Sequence, residues 1–420
     1  MRRKSVALVM AAATALSLMA GSGVSALADE ETVELTMWGG WAGDQIGQLE
    51  KQLEGFNNSQ DKIHVTYMAQ DSMEQKLLTA IASDEVPDIV LWDRFNTSVY
   101  APKGALMALD DYVKDSVDLD QFYEPAVDEL RSGDNLYGIP LTVDTRIIFY
   151  NKDLLEEAGV DPASITDWNS LEEAAVKLTK WDGNVLEQSG FSMKDVGLFN
   201  NWIAQAGGQM IDDTTNPPTT AFNSEAGLTV LEYWNKLLNE DKVYQLGFED
   251  GLGGDGFKAG KVAMTFNGPW VLEQYKEAGL NFGVIGQPKG PSGDMHAMMG
   301  GFGLAIPNKA KHADEAWEFI KWWTTQPENG VEFCKISGNM PANKAAAEDP
   351  YFAEDDVFEV FTEAYTYAGI RSKVLGYSDV EGLALIPQLQ KYVAGEISAE
   401  EALANAQSQG DSILAEAAQQ

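Results

Sequence analysis

Side chains that commonly carry chemistry are scarce in this sequence. Three histidines, His64, His296 and His312, and one cysteine, Cys334, occur in 420 residues. No H-E-x-x-H helix, G-x-S-x-G elbow or clustered metal-ligand spacing is present, so neither a metal nor a cofactor is expected. A lone cysteine excludes an intramolecular disulfide, and Cys334 in VEFCKIS reads as a small buried apolar side chain. Positive charge is short as well: 29 Lys and Arg stand against 65 Asp and Glu, a net charge of −36. That balance argues against nucleic acid and against an anionic membrane surface as partners. It suits a solvated surface that keeps an exported chain soluble and monomeric. Beyond the N-terminal leader no apolar run reaches about 18 residues, so no membrane span is expected.

The leader has the order basic, apolar, small: MRRKS, an apolar run from Val6 to Ala20, then Ala26-Leu27-Ala28. This is a secretory signal, and residues 1–28 are set aside from the fold. Leu18-Met19-Ala20-Gly21 resembles the start of a lipoprotein signal, but Ser22 stands where the lipidated cysteine would be. Cleavage after Ala28 without a lipid anchor is therefore expected, placing the mature chain in the periplasm or at the extracellular face.

The mature length suggests two lobes of roughly 150–200 residues each. Alternating Val33, Leu35 and Met37 form a strand that runs into the loop Trp38-Gly39-Gly40-Trp41. A helix with Ile46, Leu49, Leu53 and Phe56, a strand with Ile63, Val65 and Tyr67, a helix opened by the capping pair Ser72 and Gln75, and the strand from Asp88 to Trp92 follow. This β-α-β-α-β order predicts a parallel sheet, whose ligands bind beyond the carboxyl ends of the strands. Pro140 to Val143 is a candidate crossing between lobes. Residues 151–279 read as mostly helical, with Asp167 to Ser170 opening one helix. Strands return at Val262–Phe266, Phe282–Ile285 and Phe302–Ile306, and the acidic tail from Ser398 reads as a surface helix. Gly251 to Gly256 matches G-x-G-x-x-G in letters only, because no strand immediately precedes it.

The positive signal is aromatic rings beside carboxylates and arginines in loops. A Trp at the strand-to-loop junction Asn267-Gly268-Pro269-Trp270 is placed either to pack inward or to face a cleft. Sugar C–H faces lie on aromatic rings, while their hydroxyls pair with carboxylates and guanidinium groups. Trp92-Asp93-Arg94 supplies all three groups consecutively, or else is a core Trp followed by a surface ion pair. Asp144 and Arg146, two apart in a strand, share one face and suit either a ligand or an inter-lobe salt bridge. Trp202 in FNNWIAQAGG reads as a ligand contact or as helix packing. A pair of acids could also serve a secreted glycosidase, and a binding protein for a polyol or glycerol-phosphate type solute is a further alternative; the sequence excludes neither, though the few arginines in the loops lower the phosphate option.

Blocks spanning nearly the whole mature chain resemble the family 1 extracellular solute-binding proteins of carbohydrate ABC transporters. They are LTMWGGW, KLLTAIASDEVPDIVLWDRF, LYGIPLTVDTRIIFYNKDLLEEAGV, GFKAGKVAMTFNGPW, GGFGLAIPNKAKHADEAWEFIKWW and GNMPANKAA. The resemblance implies a two-lobe α/β fold of the type II periplasmic-binding-protein kind, with crossings that act as a hinge, and no catalysis. It places 29–141 plus about 304–342 in one lobe and 142–303 plus about 343–420 in the other. It implies a sugar ligand, membrane permease subunits as partners, and no nucleic acid. Trp92, Asp93 and Arg94 fall on the family's sugar-contacting loop, Asp144 where a carboxylate meets hydroxyls, and Trp270 on the aromatic platform. Asn201 and Trp202 match more loosely, Trp38 and Trp41 lie on the variable first loop, and Gly301, Phe302, Arg146 and Arg371 complete the candidate set. Near the C-terminus the maltose-binding branch has another stacking Trp, where YSDVEGLALIP offers only Tyr377.

Overall fold

The computed structural model describes residues 32–419; the leader and Ser22 lie outside them. Val33–Gly39 buries Leu35 and Met37 and pairs in parallel with Ile63–Ala69 on one side and Ile89–Asp93 on the other. Ile89 to Trp92 are all buried, as expected for a central strand covered on both faces. Phe302–Ala305 then adds antiparallel to Ile89–Asp93, with Phe302 opposite Asp93, and Ile139–Pro140 closes the five-stranded sheet. This register sets the carboxyl end of one strand and the amino end of its neighbour on the same edge. The helices Asp44–Asn57, Ala313–Thr325 and Pro327–Ser337 cover the sheet through Phe56, Phe319, Trp323 and Phe333.

A second sheet is three-stranded and antiparallel, with Ile147–Asn151 between Met264–Asn267 and Phe282–Ile285. Its central strand alternates: Ile147 and Phe149 join one apolar core, Ile148 the other, which also holds Trp168, Trp202, Trp234 and Phe222.

Between the sheets the chain crosses at 141–146 and returns at 297–301. These crossings are tied to each other. The Asp144 amide donates to the Gly300 carbonyl at 3.1 Å, the Gly300 amide to the Asp144 carbonyl at 2.9 Å, and the Leu141 amide to the Phe302 carbonyl at 2.9 Å. Ala297–Met298 also pairs in parallel with Ala368–Gly369, so a third segment shares the junction.

Local sequence rules succeed and fail at identifiable places. Asp167 and Ser170 form a reciprocal capping box that starts Trp168–Leu178. Ser72 precedes Met73–Ser83 but has a left-handed backbone (φ 52°) and makes no cap hydrogen bond with its side chain. Residues 151–279 also hold two small hairpins, Lys180–Asp182 with Val185–Gln188 and Ile211–Asp212 with Thr219–Thr220. The tail helix Ala399–Ala417 is not a free surface helix, since Ala402, Leu403, Ala406 and Leu414 pack one of its faces into the core. Gly251 to Gly256 run from the short 3-10 helix Asp250–Leu252 into turns, with no strand leading into them. Among the described residues no helix is long and apolar enough to cross a membrane.

Candidate functional site

Two sheet edges and the crossings between them enclose a cavity of about 420 Å3. Asp93 reaches it from the end of Ile89–Asp93, and Phe302 from the start of the neighbouring strand. Asp144 and Arg146 enter from one crossing, Met298 to Gly301 from the other. The opposite wall is made by Asn200 and Asn201 on the helix Phe199–Gln205, by Asp195, and by Trp270. Arg371 and Glu381 close the cavity from the C-terminal part of the chain. A side cavity of about 200 Å3 opens beyond Arg146 and Trp270 and reaches Trp202.

Trp270 owes its position to its own loop. Met264–Asn267 ends in Asn267, whose side-chain oxygen accepts from the Gly268 amide at 3.0 Å while its amide group donates to the Tyr275 hydroxyl at 2.9 Å. Pro269 then opens a short 3-10 turn, Pro269–Val271. The indole folds back over Gly268, where any Cβ would overlap the ring, so only glycine fits. The Arg146 guanidinium lies over the same ring, 5.3 Å from its centroid. The ring remains partly exposed and lines both cavities.

Behind the first sheet's edge lies a closed ionic cluster. Arg94 is fully buried; its Nε stands 3.2 Å from Glu129, Nη2 donates to the Gly300 carbonyl at 2.6 Å, and Nη1 donates to the Thr142 carbonyl. Its guanidinium thus clamps both crossings. Gly301 sits directly against it at φ 131°, with no room for a Cβ between Arg94 and the Thr142 carbonyl. Arg371 donates to Asp93 at 2.7 Å, approaches Glu129 at 3.6 Å, and lies over the Phe95 ring at 4.2 Å. Burial pushes the Glu129 carboxyl up to about 7 against the pull of Arg94 and Arg371. Burial also raises Asp144, with Asp93 adding repulsion, and raises Glu381.

The far wall is differently equipped. Glu381 lies on the π-helical stretch Val380–Leu385 and accepts from the Asn200 amide group at 3.1 Å and the Tyr377 hydroxyl at 3.2 Å. Asn201 is 3% exposed and donates to Gln287 at 3.2 Å, yet its Oδ1 has no hydrogen-bond partner. A buried amide oxygen without a donor is costly unless a ligand supplies one. Among the described residues no group of three or more His, Cys, Asp or Glu side chains is arranged to hold a metal ion.

Of the residues singled out from sequence, Asp93, Asp144, Arg146, Asn201, Trp270, Gly301, Phe302 and Arg371 meet around the main cavity. Trp202 reaches only the side cavity, with its ring packed between Trp168 and Phe266. Four residues point elsewhere. Trp92 alternates away from Asp93 into the core, 1% exposed, because neighbouring strand residues face opposite sides. Trp38 packs against that same cluster. Trp41 stacks on Phe333 at 5.5 Å and meets Phe302 edge-on. Arg94 holds the crossings from behind. Sequence reasoning missed Asp195, Asn200, Met298, Met299 and Glu381. Glu381 stands four residues after Tyr377, which is itself buried behind it, so the aromatic ring drew notice while its carboxylate neighbour faces the cavity.

A profile of the family described as bacterial extracellular solute-binding protein matches residues 51–359. The chain belongs to that family. A maltotriose-binding protein from Pyrococcus abyssi is 25% identical over 349 residues, covering 81% of this chain and 73% of that protein. The fold matches an ABC substrate-binding protein from Listeria monocytogenes solved with cycloalternan, with a TM-score of 0.80 at 22% identity over 91% of this chain and 99% of the other. It also matches an ABC transporter solute-binding protein from Thermotoga lettingae bound with alpha-D-tagatose. That TM-score is 0.79 at 22% identity, covering 91% of this chain and 100% of the other. These likenesses establish the two-domain solute-binding-protein fold, with mixed helix and sheet.

Proposed function

We propose that this protein is a receptor that captures a sugar between its lobes and presents it to the permease of an ABC importer. The observation that carries the reading is the mixed character of the cavity: the part-exposed Trp270 ring, carboxylates at Asp93, Asp144 and Glu381, the guanidinium groups of Arg146 and Arg371, and the unpartnered Asn201 Oδ1. A ring offers a face for C–H groups, and the charged and amide groups suit hydroxyls, which both donate and accept. The named ligands of the related proteins, maltotriose, cycloalternan and tagatose, are carbohydrates. A phosphorylated solute fits less well, since four carboxylates line the cavity and Arg371 is already committed to Asp93.

The lobes are taken as 29–141 plus about 304–342 and 142–303 plus about 343–420, closing about the crossings that Arg94 clamps. Hinge closure of this kind is a general property of periplasmic binding proteins. The leader 1–28 is taken to export the chain to the periplasm or extracellular face, where it acts as a monomer. The reading is tested by titrating the mature protein with a panel of sugars while following tryptophan fluorescence and melting temperature. A bound sugar at a hundred times its dissociation constant adds about 2.7 kcal/mol to stability. Sugars that shift both signals and are recovered intact support a receptor. Recovery of cleaved sugar points instead to a carbohydrate-active hydrolase, and no shift with any sugar overturns the sugar reading.

A further inference from the structure

The hydrogen-bonding groups of the cavity are unevenly matched, and the imbalance has a location. Four carboxylates line it, Asp93, Asp144, Asp195 and Glu381, against two guanidinium groups, Arg146 and Arg371. Arg371 is spent on Asp93 and Glu129, and Arg146 lies over Trp270. Neither guanidinium makes an ion pair with Asp195 or Glu381, although Arg371 lies near enough to Glu381 to pull its carboxyl down against burial. On the other side stand Asp195, Glu381 and the Asn201 Oδ1. Asp195 accepts from the Gly197 amide at 2.9 Å, and Glu381 is held only by the neutral donors Asn200 and Tyr377. Asn201 Oδ1, in a residue 3% exposed, has no donor at all. This end of the cavity offers acceptors and negative charge, and its two carboxylates make no ion pair. An ammonium group has three donors, no acceptor and the complementary charge.

Resting on the sugar reading above, we propose that the ligand is an amino sugar, or an oligosaccharide containing one, whose ammonium group is held at the Asp195, Glu381 and Asn201 end of the cavity. Trp270 and Arg146 then face the neutral part of the same ligand. A charge-assisted hydrogen bond is roughly twice as strong as a neutral one, enough for a preference on the order of tenfold over the matched neutral sugar.

Calorimetric titration at pH 7 and 0.15 M salt tests this with matched pairs: glucosamine and glucose, galactosamine and galactose, mannosamine and mannose, and one disaccharide pair. The expected result is at least one pair in which the amine binds about tenfold tighter or better. In Glu381→Gln and Asp195→Asn, which keep the shape of the side chain, that ratio falls toward one. Asp212→Asn, outside the cavity, retains it, which separates a local site from the attraction of the whole acidic surface. Equal or tighter binding of the neutral members overturns the amino-sugar proposal and leaves the sugar receptor standing. A preference that survives both cavity substitutions also overturns it, and binding of no member of any pair removes both readings.

Discussion

On the five-stranded-sheet side of the cavity the charged groups are paired by charge inside the protein, Arg94 with Glu129 and two backbone carbonyls, Arg371 with Asp93 and Glu129, although Arg94 Nε and both Glu129 oxygens make no hydrogen bond. On the opposite side Asn201 Oδ1 is unpartnered, Glu381 has only neutral donors and Trp270 is part exposed. The first wall is a frame that fixes where the crossings lie. The second, on the proposed reading, is the surface that meets the ligand. Similar residue types thus do different work according to whether their partners are inside the protein or outside it.

The comparison breaks most visibly at Arg94. Arg94→Met leaves Glu129 buried without its nearest cation and frees two carbonyls, so a loss of about 3–5 kcal/mol is expected in denaturant unfolding. Replacing Arg94 and Glu129 together by apolar residues should recover much of that loss. A similar loss from the double change would show that the contacts to the Thr142 and Gly300 carbonyls matter more than the ion pair. Trp92→Ala tests the frame from its apolar side, with an expected cost of about 3–5 kcal/mol in stability and little change in affinity at permissive temperature. Trp270→Ala should do the reverse, weakening sugar binding by about 1–3 kcal/mol while unfolding moves little. Asn201→Ala should cost binding of a neutral sugar about 0.5–1.5 kcal/mol, the worth of one neutral hydrogen bond.

The smallest effect is in pH. Glu129 is raised to about 7 by burial, so the folded state holds its proton more tightly than the unfolded chain does. Its contribution to stability is therefore fully present below the ordinary carboxylate range and is lost as pH rises through about 7. Melting temperatures measured across pH 5 to 8 should show a decline that Glu129→Gln flattens. An unchanged profile in that variant would assign the decline to other groups.

Much of the fold was legible because it rests on local signals. The alternation of Val33, Leu35 and Met37, the apolar run to Trp92 and the Asp167 capping box each announce their element. Partly buried positions such as Asp93, Asp144 and Trp270 were legible as junction residues. The failures share a cause. In Trp92-Asp93-Arg94 the chemistry of three consecutive residues is right for a sugar, but strand alternation leaves only Asp93 facing the cavity. Nothing in the local sequence tells Arg94 from a ligand-binding arginine, since its partners Glu129, Thr142 and Gly300 are distant in the chain. Glu381 was hidden for the same reason, because the π-helical stretch that turns it inward has no short sequence signature.

The most direct test of this division compares affinity in three proteins. The sugar giving the largest thermal shift is titrated calorimetrically into wild type, Trp270→Ala and Trp92→Ala below their melting temperatures. Affinity that falls about fivefold or more in Trp270→Ala and stays near wild type in Trp92→Ala is the predicted result. Wild-type affinity in a folded Trp270→Ala, with binding lost in a folded Trp92→Ala, would contradict it.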